Sequence, residues 1–135
     1  MKRDVVALLA FINSRQNVPH KWGRANNDCL SFMAGAVKAL TGKDPARGLK
    51  WGGEESGRKV LAGLGGVEAA LDSRFERVAV AFAKQGDIAG VPDKEFGIHP
   101  MIVEGTMLVA PGEKGNKRTQ RRHMTCAWSA TSLKV

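Results

Sequence analysis

The chain has 135 residues, 43% of them hydrophobic, and a formal net charge of +8 at pH 7. Its length fits one domain over 1–135, and its apolar fraction is too high for a disordered polymer. No apolar run approaches the ~18 residues that a membrane-spanning helix needs, and the N-terminus does not resemble a signal peptide. These numbers indicate a compact, basic domain without a membrane span.

The two cysteines, Cys29 and Cys126, are too few for a disulfide-dense secreted fold. Together with the three histidines they lack the spacing of metal ligands, so the sequence predicts neither a metal site nor a cofactor. A reducing compartment is the simplest assumption. We therefore expect both thiols to be free, with Cys126 packed in a strand.

The N-terminal half shows apolar residues at helical spacing, bounded by capping residues. The predicted helices cover 4–15, a segment from Asn27 or Asp28 to Thr41-Gly42, and 56–72 with a break at Gly65-Gly66.

After residue 76 the apolar period changes to two, which is typical of strands. The predicted strands cover 78–82, 88–91, 101–103, 107–109 and 124–128. Helices followed by strands indicate an α+β fold, with the helices packed on one face of a five-stranded antiparallel sheet. Trp128 is predicted in the core, and Trp51 in a loop that contributes to a contact surface.

Most of the excess charge lies in one segment, 113–123, predicted as a loop between the last two strands. Its cations are Lys114, Lys117, Arg118, Arg121 and Arg122. Three interpretations remain open: a solvated loop, a docking element for an acidic protein, or a phosphate-contacting element for DNA or a teichoic-type polymer. The segment has no aromatic residue for base stacking, so nucleic acid is the less favoured partner.

Cys29 stands at the predicted start of the second helix, directly after Asp28. The positive end of a helix favours thiolate, and its free amides can bind an oxyanion. A nucleophilic thiolate also needs a base, and His99, at the start of a predicted strand, is the candidate. The alternatives are a buried core cysteine and a surface histidine at a strand edge.

Three segments follow one another along the chain: Trp22 to Phe32 around Asp28-Cys29, Gln85 to Ile88 with a Gly-Asp turn, and His99 to Gly105. In this order they resemble the Cys, Gly-Asp and His motifs of the NlpC-like papain-fold cell-wall peptidases. Two more elements, Thr41 to Pro45 and Ala127-Trp128, are similar to a compact form of that family encoded in phage tail modules. The resemblance covers roughly residues 18–130.

The resemblance implies a cysteine peptidase or amidase with Cys29 as nucleophile and His99 as general base. Asp28 and the Cys29 amide would support the oxyanion, and Trp22 would be either a cleft wall or a packing residue. The polar residue that orients the imidazole in the family lies on the next strand. This chain has only apolar side chains there, including Val109 and Ala110.

The implied setting is the tip of a phage tail in the virion, with tail hub or tail-tip proteins as partners and cell-wall peptides as substrate. Because the orienting residue is missing, a second function stays open: a catalytically degenerate structural or docking subunit of the same fold. A basic nucleic-acid-binding module is the third.

Overall fold

The computed structural model describes residues 3–134 as helices followed by a sheet. The helices are α1 (Val5–Ser14), α2 (Cys29–Thr41), α3 (Glu54–Gly63) and α4 (Val67–Arg74). The strands are β1 (Arg77–Val78), β2 (Ile88–Asp93), β3 (Gly97–Glu104), β4 (Met107–Pro111), β5 (Asn116–Gln120) and β6 (Cys126–Trp128). They form one antiparallel sheet in the order β1-β6-β2-β3-β4-β5. The predicted α+β class is confirmed, with six strands rather than five.

Local capping sets the helix bounds close to those predicted. The Asp4 carboxylate accepts a hydrogen bond from the Ala7 amide at 3.0 Å and caps α1. Helix α2 ends at Gly42, whose φ of 82° is the left-handed conformation that glycine tolerates best. The predicted break at Gly65-Gly66 separates α3 from α4. No helix within residues 3–134 is long and apolar enough to cross a membrane.

The sheet buries both of its faces. On one face, Ile88, Ile98, Ile102, Val109 and Trp128 pack against the apolar side of α2. On the other, the alternate strand residues form a second cluster with Ala83 and Met124, which flank two short 3₁₀ turns. This second set is Ala89, Met101, Val103, Leu108, Ala110 and Ala127.

The strand predicted over 78–82 is wrong beyond Val78. β1 pairs only with β6, through Arg77 with Trp128 and Val78 with Ala127, so the ladder offers no partner further along. The chain instead forms a 3₁₀ turn at Val80–Phe82, and the Phe82 side chain is 75% exposed. The last strand likewise begins at Cys126 rather than residue 124.

The segment 113–123 is not a loop. It contains β5, which pairs with β4 at the edge of the sheet, and a 3₁₀ turn over Arg121–His123. An edge strand with no buried face needs no apolar alternation, so the periodicity gave no signal.

Gly86, in the turn before β2, combines a positive φ of 88° with close packing. A Cβ there would lie 2.6 Å from Leu40 Cδ2 and 3.1 Å from Leu8 Cδ2. We expect Gly86→Ala to lower the free energy of unfolding by about 2–3 kcal/mol, measured by urea denaturation. Gly105→Ala is the control, because Gly105 also has positive φ but nothing within 4 Å of its Cβ position. If both variants lose the same free energy of unfolding, the positive φ alone accounts for the loss. The close packing at Gly86 would then contribute nothing.

Candidate active site

Asp28 holds the segment before α2 in place through both of its carboxylate oxygens. The side chain is 0% exposed. Oδ1 accepts a hydrogen bond from the Ser31 amide at 2.8 Å, which caps the helix. Oδ2 accepts from the Gly23 amide at 2.9 Å and from Trp51 Nε1 at 2.8 Å. A carboxylate only accepts hydrogen bonds and cannot donate one to an oxyanion, so the role of Asp28 in the structure is to position the helix start.

Cys29 is the first residue of α2, as predicted, and its side chain is 6% exposed. Burial, together with the nearby Asp28 and Asp93 carboxylates, raises the pKa of the Cys29 thiol to about 12. The backbone amides of Cys29 and Leu30 act in the opposite direction but do not offset burial. The thiol is therefore protonated at neutral pH, and the helix terminus alone does not generate a thiolate.

His99 is the third residue of β3, opposite Val91 of β2. Directly paired residues of an antiparallel ladder lie on one face, and Val91 packs with the cluster on the face turned away from α2. The His99 ring lines an open pocket of about 470 Å³ together with His20, Pro111, Gly112, Glu113 and Lys117. His99 therefore lies on the face of the sheet that is turned away from α2.

The structure does not join Cys29 to His99. Across residues 3–134 no hydrogen bond connects the two side chains. Asp93 is the shared neighbour, because its charge influences the pKa of both groups. Their catalytic pairing stays a prediction.

In the peptidases that the sequence resembles, a polar residue on the strand after the histidine orients the imidazole. In this chain that strand, β4, has core residues instead. Leu108, Val109 and Ala110 of β4 are all buried, in agreement with the apolar sequence there. Among the described residues the His99 ring has no hydrogen-bond partner. No side chain of β4 therefore fixes a tautomer or orientation of this imidazole.

His99 provides a pH-dependent prediction. Burial lowers the pKa of its imidazole below the usual 6.5; Lys117 and His20 lower it further, while Asp93 opposes them. The unfolded chain therefore binds a proton near pH 6.5 that the folded chain does not, so stability is full above that pH and falls below it. We expect the difference in unfolding free energy between wild type and His99→Gln to shrink from pH 7.5 to pH 5.5. An NMR titration of the ring at or above pH 6.5 would contradict the prediction.

Trp22 stands in an aromatic cluster beside the α2 start. Its ring centroid lies 5.8 Å from that of His20 and 6.1 Å from that of Phe96. The Arg58 guanidinium lies over both Trp22, at 5.7 Å, and Phe96, at 5.0 Å. Trp22 is half-buried, and these contacts favour packing while leaving part of the ring available as a wall.

Trp51 corrects the expectation of a surface-contact residue. Its side chain is 5% exposed and packs with Ala34 and Ala46, while its indole N–H donates to Asp28. Sequence reasoning missed this residue and Asp93, since neither is near Cys29 in the chain. Trp128 is buried as predicted, and its indole N–H donates to Asp72 at 2.9 Å.

The elements that suggested the tail-module resemblance contact one another. Arg24, in the segment before Cys29, forms an ion pair with Asp44 of the Thr41 to Pro45 element at 2.7 Å. The Asp44 Oδ1 atom also accepts from the Ala46 amide, closing the turn after α2. These motif residues therefore stabilise the fold around the helix start.

The basic residues predicted as one contact loop are distributed over β5 and its flanks. Two of them, Arg118 and Arg121, form ion-pair or hydrogen-bond contacts within the chain. Arg118 pairs with Glu104, with Nε 2.7 Å from Oε1. The Arg121 guanidinium donates to the backbone carbonyls of Gly105 and Ala83. Lys114, Lys117 and Arg122 are exposed. The segment is thus an ordered edge with three outward cations.

Both cysteines are free thiols. In the part of the chain that the structure describes, no group of three or more His, Cys, Asp or Glu side chains is placed to hold a metal ion. The chemistry available around Cys29 is therefore a buried thiol, two helix-start amides and two carboxylates.

The fold is that of the NlpC/p60 class. The chain superposes on the NlpC/p60 domain of the peptidoglycan hydrolase SagA with a TM-score of 0.61 and 19% identity, covering 93% of this chain and 98% of that domain. The sequence profile of DUF6950, a domain of unknown function, matches residues 2–130, and the chain belongs to this family. No curated protein sequence matches it.

Proposed function

We propose that this chain is a non-hydrolytic subunit of a phage tail tip, which uses an NlpC/p60-type fold for docking. The observation that carries the proposal is the state of Cys29: a buried, protonated thiol near the Asp28 and Asp93 carboxylates. A cysteine nucleophile needs a thiolate and an adjacent base. The raised pKa of the Cys29 thiol is unfavourable to the first of these requirements.

The tail setting is supported by the way the motif residues are used. Two of the elements similar to the compact tail-module form, Trp22 to Phe32 and Thr41 to Pro45, are joined by the Arg24–Asp44 ion pair. They maintain the α2 start as a structural feature, independently of catalysis. The exposed cations Lys114, Lys117 and Arg122 at the β5 edge provide a surface for acidic hub or tail-tip proteins.

The experiment replaces Cys29 in the phage that encodes the chain. Particles with Cys29→Ser are expected to contain the subunit at wild-type amounts and to infect normally. Particles with Lys114→Glu and Lys117→Glu are expected to lose the subunit, detected by immunoblotting of purified tails. Loss of infection in Cys29→Ser particles that still contain the subunit would overturn the non-hydrolytic assignment, and absence of wild-type subunit from tails would overturn the setting.

A cysteine peptidase or amidase acting on cell-wall peptides is the second candidate. It is favoured by the Cys29 and Leu30 amides, which lower the pKa of the thiol and are placed as oxyanion donors would be. It requires an imidazole within hydrogen-bond reach of the Cys29 thiol. Purified protein incubated with peptidoglycan distinguishes the two candidates: release of stem-peptide fragments by wild type, abolished in Cys29→Ala, would support the enzyme.

A further inference from the structure

A second concentration of positive charge lies on the helical side of the molecule. A pocket of about 180 Å³ between α1, α2 and the loop after α2 is lined by Arg15, Arg24 and Lys38. A larger one, of about 610 Å³, shares Lys38 and adds four cations: Lys43, Arg47, Arg74 and Lys134. A third, of about 500 Å³, shares Arg24 with the first and adds Lys50. We call these three adjoining pockets the basic cleft.

The charge of the basic cleft is almost unopposed. Asp44 is the one carboxylate among its lining residues, and it is paired with Arg24 at 2.7 Å. Within residues 3–134, none of the other seven cations forms a salt bridge. Elsewhere several cations are paired, as in Arg58 with Glu54 and Arg77 with Asp72. The cleft is therefore a strongly positive surface, separate from the cations of the β5 edge.

Arg24 provides an independent indication that the cleft takes an anion. Its Nη2 pairs with Asp44, but its buried Nε has no hydrogen-bond partner in the described part of the chain. A buried donor without an acceptor is unfavourable. An anionic oxygen entering the cleft would provide the missing acceptor.

We propose that the basic cleft binds a linear phosphodiester polymer of the bacterial cell surface, of the teichoic type. Several cations distributed over adjoining pockets match an extended chain of phosphates better than one compact anion. The cleft offers no base-stacking platform, because Trp51 is buried and the Arg15 guanidinium lies 4.7 Å from the centroid of the Phe11 ring. The choice of a cell-surface source over nucleic acid also rests on the proposed function at the tail tip.

The test uses the purified chain and a fluorescently labelled synthetic oligo(glycerol phosphate) of defined length, followed by fluorescence anisotropy at increasing salt. Wild type is expected to bind at low ionic strength and to lose affinity steeply as salt rises. Lys43→Glu with Arg47→Glu reverses two exposed cations of the cleft. We expect this pair to weaken binding by at least about tenfold and to flatten the salt dependence.

The matched control is Lys114→Glu with Lys117→Glu, which changes the net charge equally at the β5 edge and is expected to leave affinity nearly unchanged. Lys43→Gln with Arg47→Gln repeats the test without introduced acids, and circular dichroism verifies folding. Three results would overturn the proposal: no binding by wild type, equal losses in cleft and control variants, or tighter binding of single-stranded DNA with the same number of phosphates. The assay needs neither tails nor infection, so its failure leaves the docking proposal intact.

Discussion

Replacing Asp28 with alanine is expected to lower the free energy of unfolding by about 3–5 kcal/mol. The substitution leaves three donors without their acceptor: the buried Gly23 amide and Trp51 indole N–H, and the partly buried Ser31 amide. Each hydrogen bond to a charged acceptor contributes roughly 1.5–3 kcal/mol, and partial relaxation or water entry keeps the total below the sum. Urea denaturation at neutral pH, with the midpoint and slope fitted separately, measures the loss.

Asp4→Ala is the matched control, because Asp4 also caps a helix with one carboxylate oxygen but is exposed. Its loss should be about 1 kcal/mol, the usual effect of an N-cap. Trp51→Phe removes the indole donor alone and should produce an intermediate loss. If Asp28→Ala and Asp4→Ala lower the free energy of unfolding equally, the capping hydrogen bond accounts for the whole loss. The bonds from Gly23 and Trp51 would then contribute nothing to stability.

The helices could be predicted because their signals are local. Asp4 and Asp28 precede runs with apolar residues at helical spacing, and Gly42 follows the second run. The position of Cys29 at a helix start follows from the same few residues. These features depend on hydrogen bonds within one or two turns, which the sequence specifies directly.

The strands at the ends of the sheet could not be predicted equally well. β1 stops at Val78 because its only partner, β6, is three residues long. β5 exists because β4 offers a free edge, although its own residues are mostly charged or polar. In both cases a distant partner determines the strand, and residue alternation carries no information about that partner.

The chemistry of the candidate site was the least predictable part. A helix start suggests a lowered thiol pKa, but burial by the tertiary fold has the larger effect and raises it. Asp93 is 64 residues after Cys29 in the chain and comes near it only in the folded protein. The face on which His99 lies depends on strand register, since a shift of one residue would move it to the opposite side.

Alkylation of Cys29 by iodoacetamide is expected to be very slow in the folded protein. With the pKa of its thiol near 12 instead of the usual 9.0, the thiolate fraction at pH 8 is about 1000-fold smaller. A Cys126→Ala background leaves Cys29 as the single thiol, and mass spectrometry follows the rate. Below the pKa, the rate should rise about tenfold per pH unit, because only the thiolate reacts.

Unfolding in urea gives the control for this rate, since it removes the burial of the thiol and separates it from Asp93. The alkylation rate should then approach that of an ordinary cysteine, while Asp93→Asn in the folded protein should increase it only modestly, because burial is the largest cause of the raised pKa. Rapid alkylation of the folded wild type near pH 7, with a rate that levels off below pH 9, would show an activated thiolate. That result would reject the non-hydrolytic assignment in favour of the peptidase candidate.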